Sequence, residues 1–225
     1  MDLTTYLNKL ADSKDVTGGG SVAALVGTSA TALTIKVLDN EKGRSRHSAV
    51  KPQIEDSQNT LNEMKDRLQE LISEDEKSLQ PLIDAKKLPK DSDEEKESRN
   101  KAIEEAVENA ARPQVEILET LVQLLDHVEF AISLQPSGDI VTNLGESVLF
   151  TQSAFQVAHI GAITNYRELS DENTQKERMT HINQVLTTGT QRSTMFYQII
   201  ATYLNTGQWK SVEEIISDQS QPPQQ

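Results

Sequence analysis

The stretch Thr17-Gly-Gly-Gly-Ser-Val-Ala-Ala-Leu25, running on through small and branched apolar residues to Leu38, decides how the rest of the chain is read. No charged residue occurs from Val16 through Ile35. Gly18, Gly19 and Gly20 permit a close approach to the main chain, and Ser21 is a good helix-capping residue. A glycine-rich turn that opens a helix aims unpaired N–H groups and the positive dipole end at whatever lies in front of it, typically an anion. Behind the turn, Ala23, Ala24, Gly27, Ser29, Ala30 and Ala32 let neighbours pack tightly on nearly every side. A helix that is small or apolar all round belongs at the centre of a protein. Two readings stand at this point: a central helix entered by a flexible turn, or the same helix with a ligand-binding loop at its start.

Working outward, apolar periodicity predicts helices throughout. Asp2 to Ala11 has Leu3, Tyr6, Leu7 and Leu10 on one face. Asp39 to His47 is a polar, flexible connection. From about Ser48 to Lys87 a long stripe runs through Ile54, Leu61, Leu68, Ile72, Leu79 and Ile83, with Pro81 as a local kink. Pro89 and Ser92 or Asp93 mark the next start, and that helix is expected to run to about Ala111. Pro113 opens another, carrying Leu118, Leu121, Val122, Leu125, Val128 and Ile132. Gln135-Pro-Ser-Gly138 is a turn, Asp139 to Tyr166 a long helix, and Ser170-Asp171 the cap of a last long helix ending near Leu204. Trp209 to Ile216 forms a short terminal helix, and 217–225 reads as a disordered tail. No window alternates with period two long enough for a sheet. The predicted fold is all-α, about seven or eight helices around a buried central helix at about 21–38, in a single domain over 1–216.

The 225 residues suffice for a sizeable core. A net charge of -13 argues against nucleic-acid or anionic-membrane binding. There is no cysteine, hence no disulfide framework and no thiolate chemistry. No basic region followed by an apolar core opens the chain, so no secretory signal is read and the protein is placed in the cytoplasm. The uncharged run is long enough to span a bilayer, but its glycines, serines and threonines favour a buried helix instead.

Asp75 breaks the long stripe. It falls between Leu68, Leu71, Ile72 and Leu79, Leu82 at spacings of three and four, which share one helix face. A carboxylate there is costly unless paired or protonated, and burial raises its pKa toward the range a proton shuttle needs. The plain alternative is a buried aspartate satisfied by a neighbouring helix. His47, His127, His159 and His181 form no spaced pair, so no metal site is expected; His159 reads as a hydrogen-bonded core histidine. Asn143, Ser147 and Asn165 are polar positions on one helix that cap neighbours or face a pocket. Lys42, Arg44 and Arg46 form a basic cluster straight after the central helix.

Taken in order, these landmarks resemble the cyclodeaminase/cyclohydrolase family, which includes the C-terminal domain of formimidoyltransferase-cyclodeaminase and methenyltetrahydrofolate cyclohydrolases. The family's Pro-Gly-Gly-Gly-Ser-Val-Ala-Ala is similar to Thr17 to Ala24, and its Gly-Lys/Arg segment to Gly43-Arg44. Its Asp-x-x-Ala-Phe is similar to Asp75-Glu-Lys-Ser-Leu79, and Leu88 to Arg99 and Asn165 to Asp171 match two further segments. The chain departs from the pattern at Thr17 for proline, at Thr142-Asn143 for Ser-Asp, and at Gly161-Ala162 for Asn-Val. The resemblance implies ring chemistry on a one-carbon tetrahydrofolate without metal or redox cofactor, in a homodimer. It implies Asp75 as acid/base. The substrate-binding positions would be Gly18, Gly19, Gly20, Ser21, Arg44, Asn143 and Asn165. The alternative it leaves is a divergent folate-binding or regulatory protein without catalysis.

Overall fold

The computed structural model describes residues 2–219 and contains, among them, seven α-helices and no strand. In chain order these are α1 (Leu3–Ala11), α2 (Gly19–Lys42), α3 (Lys51–Lys86), α4 (Asp93–Ser133), α5 (Ile140–Tyr166), α6 (Glu172–Thr206) and α7 (Val212–Gln219), with a 3-10 turn at Ser45–Val50 before α3. The expected disordered tail falls partly on α7, which continues to Gln219; 220–225 lie outside the described residues.

Local chemistry sets the helix ends. Asp2 accepts from the Thr5 N–H at 2.8 Å and Asp171 from the Thr174 N–H at 2.8 Å, each satisfying a first-turn donor. Ser92 and Glu95 form a reciprocal capping box in front of an acidic first turn. Gly207, at φ 72°, closes α6 in the left-handed conformation.

The break predicted at Ala111 is absent: α4 is continuous through a buried Pro113. Proline removes one N–H and crowds the preceding turn. Here the apolar stripe on both sides, Ala106, Val107 and Ala110 before it and Ile117, Leu118 and Leu121 after it, is buried without interruption and holds the helix together. The segment read as a flexible connection is also ordered. Its first four residues complete α2, and the rest enters the 3-10 turn.

The fully buried Glu41 carboxylate organises that corner. Arg46 Nη2 and His47 Nε2 lie 2.8 and 2.9 Å from its Oε2, and Arg44 Nε lies 2.9 Å from Oε1. The two arginines reach on to the α4–α5 turn, Arg44 to Ser137 and Arg46 to the Gln135 carbonyl.

α2 packs against α3, α4 and α5. It is the one helix long and apolar enough to cross a membrane among the described residues, yet over half of that window is buried inside the array. Ser147 on α5 donates to the Ala30 carbonyl and pairs with Thr34, while Asn143 meets Lys36 and Val157 meets Gly19. These pairings make α2 and α5 antiparallel, so the start of α2 lies beside the end of α5. An edge of α2 stays only partly covered, at Val22, Leu25, Val26 and Leu33, with Ser29 and Ala32 exposed. The apolar face predicted for α1 is likewise open: Tyr6 is buried, but Leu3 and Leu7 are 57% and 50% exposed.

Gly189 on α6 faces the buried Phe155 ring, two of whose carbons would lie 2.6 and 2.8 Å from a Cβ built there. Gly189→Ala is expected to destabilise the protein by about 1–3 kcal/mol, the usual range for overpacking. Denaturant unfolding checks this, and an unchanged midpoint would show that the ring yields freely.

Candidate active site

α3 carries its buried stripe Leu68, Leu71 and Ile72 straight into Asp75, which is 7% exposed beneath the first turn of α2. Only glycine is compatible with the opposing position, because a Cβ on Gly20 would overlap the Asp75 carboxylate. The Ser21 N–H donates to that carboxylate, and Gln114 Nε2 of α4 donates to its Oδ1 at 2.8 Å. Gln114 Oε1 in turn accepts from Asn165 Nδ2 of α5 at 2.8 Å. Four helices thus converge on one carboxyl group. Burial pushes its pKa above the ordinary carboxylate value; the Gln114 and Ser21 hydrogen bonds pull it partly back, and neighbouring Glu76 adds a smaller upward push.

Asp75 opens on a cavity of about 350 Å³ bordered by Gly18, Gly19 and Gly20, by Ser78 and Leu79 of α3, by Gln114, and by Val157, Ile160, Thr164 and Asn165 of α5. First-turn N–H groups of a helix have no intrahelical acceptor, so the loop offers donors beside the buried carboxyl group. Of the residues predicted from sequence, Gly18, Gly19, Gly20, Asp75 and Asn165 come together here. Ser21 does so only through its backbone: its hydroxyl donates to the Gly18 carbonyl at 2.8 Å and meets the Tyr6 hydroxyl at 2.9 Å, away from the cavity. Thr17 is held by hydrogen bonds, its N–H and hydroxyl reaching Asp15 at 2.9 and 2.7 Å and its hydroxyl lying 3.0 Å from Glu76.

Arg44 and Asn143 lie elsewhere. Both are at the far end of α2, whose 24 residues span about 36 Å at 1.5 Å per residue. Arg44 is engaged with Glu41 and Ser137, and Asn143 accepts from Lys36 at 3.3 Å. The chain by itself therefore does not unite them with Asp75. The histidines each have their own partner: His47 meets Glu41, His127 meets Ser57, His159 meets Asn183 and His181 meets Glu119. His159 is half-buried at the surface, not in the core.

Gln114 is the site residue that the sequence reading missed. It interrupts an apolar stripe, Ala110, Gln114, Ile117, Leu121, by the same spacing that singles out Asp75. Placing a helix boundary at Pro113 concealed it.

Fold and site together define a class: an all-α array that holds a desolvated carboxylic acid against a glycine loop at the mouth of a small cavity. Comparison with known proteins makes this specific. The formiminotransferase-cyclodeaminase sequence pattern matches residues 2–184, and the chain belongs to that family. It is 23% identical over 203 residues to a methenyltetrahydrofolate cyclohydrolase of Methylorubrum extorquens, covering 90% of this chain and 97% of that one. Its fold is similar to the crystal structure of formiminotetrahydrofolate cyclodeaminase from Thermotoga maritima. That likeness has a TM-score of 0.74 at 20% identity, over 89% of this chain and 98% of the other.

The two ends of the glycine loop should respond oppositely to a methyl group. Gly20→Ala forces the Asp75 carboxylate aside and should destabilise the protein by about 1–3 kcal/mol. Gly19→Ala meets only Val157, at 3.5 Å, and should be neutral or stabilising by up to about 1 kcal/mol. Urea unfolding of the pair reads both, and equal effects would contradict the packing described.

Proposed function

We propose that the protein is a folate one-carbon enzyme, a methenyltetrahydrofolate cyclohydrolase or formimidoyltetrahydrofolate cyclodeaminase, with Asp75 as its acid/base. The observation that supports this most is the position of Asp75: buried, with its pKa raised by desolvation, and facing the cavity beside the loop amides. A raised pKa makes a carboxylate a stronger base and moves its proton exchange toward neutral pH.

In the hydrolytic direction, water adds to the carbon bridging N5 and N10 while Asp75 accepts its proton. The bond from that carbon to N5 then breaks, N5 takes the proton back from Asp75, and the second water proton leaves to solvent, giving the N10-formyl product. In the deaminating direction, N10 closes on the formimidoyl carbon and its proton passes to the departing nitrogen through the same carboxyl group. A further proton lets that nitrogen leave as ammonia. Neither sequence transfers electrons. The loop amides and Asn165 orient the pterin-side heteroatoms, and the anionic glutamyl tail is left for a basic group.

The assembly we propose is a homodimer packed along the half-covered edge of α2. Leu149 and Phe150 on α5 are also open apolar side chains, 43% and 42% exposed. Antiparallel packing of two α2 helices about a two-fold axis would bring the Arg44 and Asn143 end of one copy to the glycine loop of the other. Arg44 then serves the partner's substrate tail. Light scattering should give twice the mass of the chain at micromolar concentration, and Leu25→Glu combined with Leu33→Glu should give monomers with weakened folate turnover. A monomeric parent protein would defeat this arrangement.

Following the methenyl absorbance decides the chemistry, since it falls if the bridge is hydrolysed and rises if formimidoyl substrate is cyclised. Asp75→Asn should lose about 10²–10⁴-fold in turnover. The raised folded-state pKa also fixes the sign of the stability change. A carboxyl group that binds its proton more tightly when folded favours folding below its unfolded value, and that contribution is lost as pH rises through its folded value. Relative to the parent, Asp75→Asn should therefore gain stability from the acid side of the carboxylate range toward neutrality. A stable, active Asp75→Asn protein would rule out the proposed role.

A further inference from the structure

Gln114, Asp75 and Asn165 are 8%, 7% and 8% exposed, and their side chains form one chain of hydrogen bonds. Its polarity follows the charge on Asp75. When ionised the carboxylate only accepts, so Gln114 turns its NH₂ group to Asp75 and its carbonyl to Asn165. Asn165 must then donate through its own NH₂, which leaves its carbonyl oxygen as an acceptor on a residue that borders the cavity. The charge on Asp75 thus dictates which end of Asn165 a ligand meets.

Position 161 supplies a second observation. It lies one turn before Asn165 on the same face of α5 and is glycine. A Cβ there would sit 3.0 Å from Gln114 Cδ and 3.3 Å from its Cγ and Nε2. A side chain at 161 and the Gln114 side chain therefore compete for one space.

We propose that Gln114 is a positioning residue that fills, from α4, the space a side chain at 161 would take, orienting Asp75 against the glycine loop and fixing Asn165 to accept from an N–H donor on a nitrogen heterocycle. The inference rests on the acid/base reading of Asp75 for its catalytic consequence, but not for its geometry. The groups that face Asp75 are Glu76 of its own helix, the Ser21 N–H of α2, Gln114 of α4 and, beyond them, Asn165 of α5 and the Tyr6 hydroxyl of α1. Of these, Gln114 gives the strongest stabilisation of the ionised form.

The test is a swap, read first without any folate. In protein carrying ¹³C-labelled aspartate, the Asp75 carboxyl titration is followed by NMR in the parent, Gln114→Ala, Gly161→Asn and the double variant. Gln114→Ala should move that titration up by roughly one pH unit, as expected for loss of a hydrogen bond to a charged group. Gly161→Asn alone should displace Gln114 and move it in the same direction. The double variant should return to within about 0.3 of a unit of the parent, a coupling that two independent structural defects would not show. Should Gln114→Ala fail to fold, Gln114→Met keeps the length and removes the amide.

With methenyltetrahydrofolate as substrate, the acid limb of kcat/KM should follow the same displacement and the same rescue. An unmoved titration in the single variants, or a double variant no closer to the parent than either, overturns the proposal. If the NMR swap works but no variant, parent included, turns over either folate, the enzymatic reading fails and the positioning role stands.

Discussion

The contact between the Asp75 carboxylate and the backbone at Gly20 and Ser21 is the constraint on which the architecture depends. It requires position 20 to have no side chain, and it brings the start of α2 down onto α3. Small residues then carry the same close approach along α2. Gly27 faces Leu121 of α4, where a Cβ would lie 3.1 Å from a methyl carbon, and Ala30 gives Ser147 of α5 direct access to its carbonyl. A long helix with larger side chains would hold α3, α4 and α5 apart, and the cavity between their ends would not close around the carboxyl group.

Electrostatics separates Asp75 from the many other acids of this strongly acidic chain. Glu74, its immediate neighbour, points outward to Arg67 and Arg112, and the Arg67 guanidinium holds its carboxyl below the ordinary value. Glu41 is wholly buried but faces two arginines and a histidine. Asp75 receives only neutral donors, so burial dominates and its pKa rises, opposite to that of Glu74. Two adjacent carboxylates are driven in opposite directions by which side of one helix they occupy.

The helical array, the central helix and the interrupted stripe at Asp75 were legible in the sequence because each depends on periodicity over many turns. Less was legible where tertiary contacts overrule local rules. Pro113 is a helix breaker by local chemistry, yet continuous burial on both sides carries α4 through it, and Gln114 was hidden by that misplaced boundary. The glycine loop and Asn165, far apart in sequence, meet because α2 and α5 run antiparallel. The same geometry sends Arg44 and Asn143 to the opposite end, which no spacing along the chain reveals. Ser21 has the composition of a cap, but Gly18 occupies that place and Ser21 turns its hydroxyl inward to Gly18 and Tyr6.

Whether the raised carboxyl group is the one that moves protons can be asked of the unmodified protein. The pH dependence of kcat/KM for methenyl bridge opening, or for formimidoyl cyclisation if that is the reaction, reports the pKa of the essential group in the free enzyme. The ¹³C titration of the Asp75 carboxyl in the same buffer reports that residue directly. The two values should coincide above the ordinary carboxylate range, with activity rising as Asp75 ionises. A kinetic pKa that matches some other group, while Asp75 titrates elsewhere, would contradict its role as the acid/base.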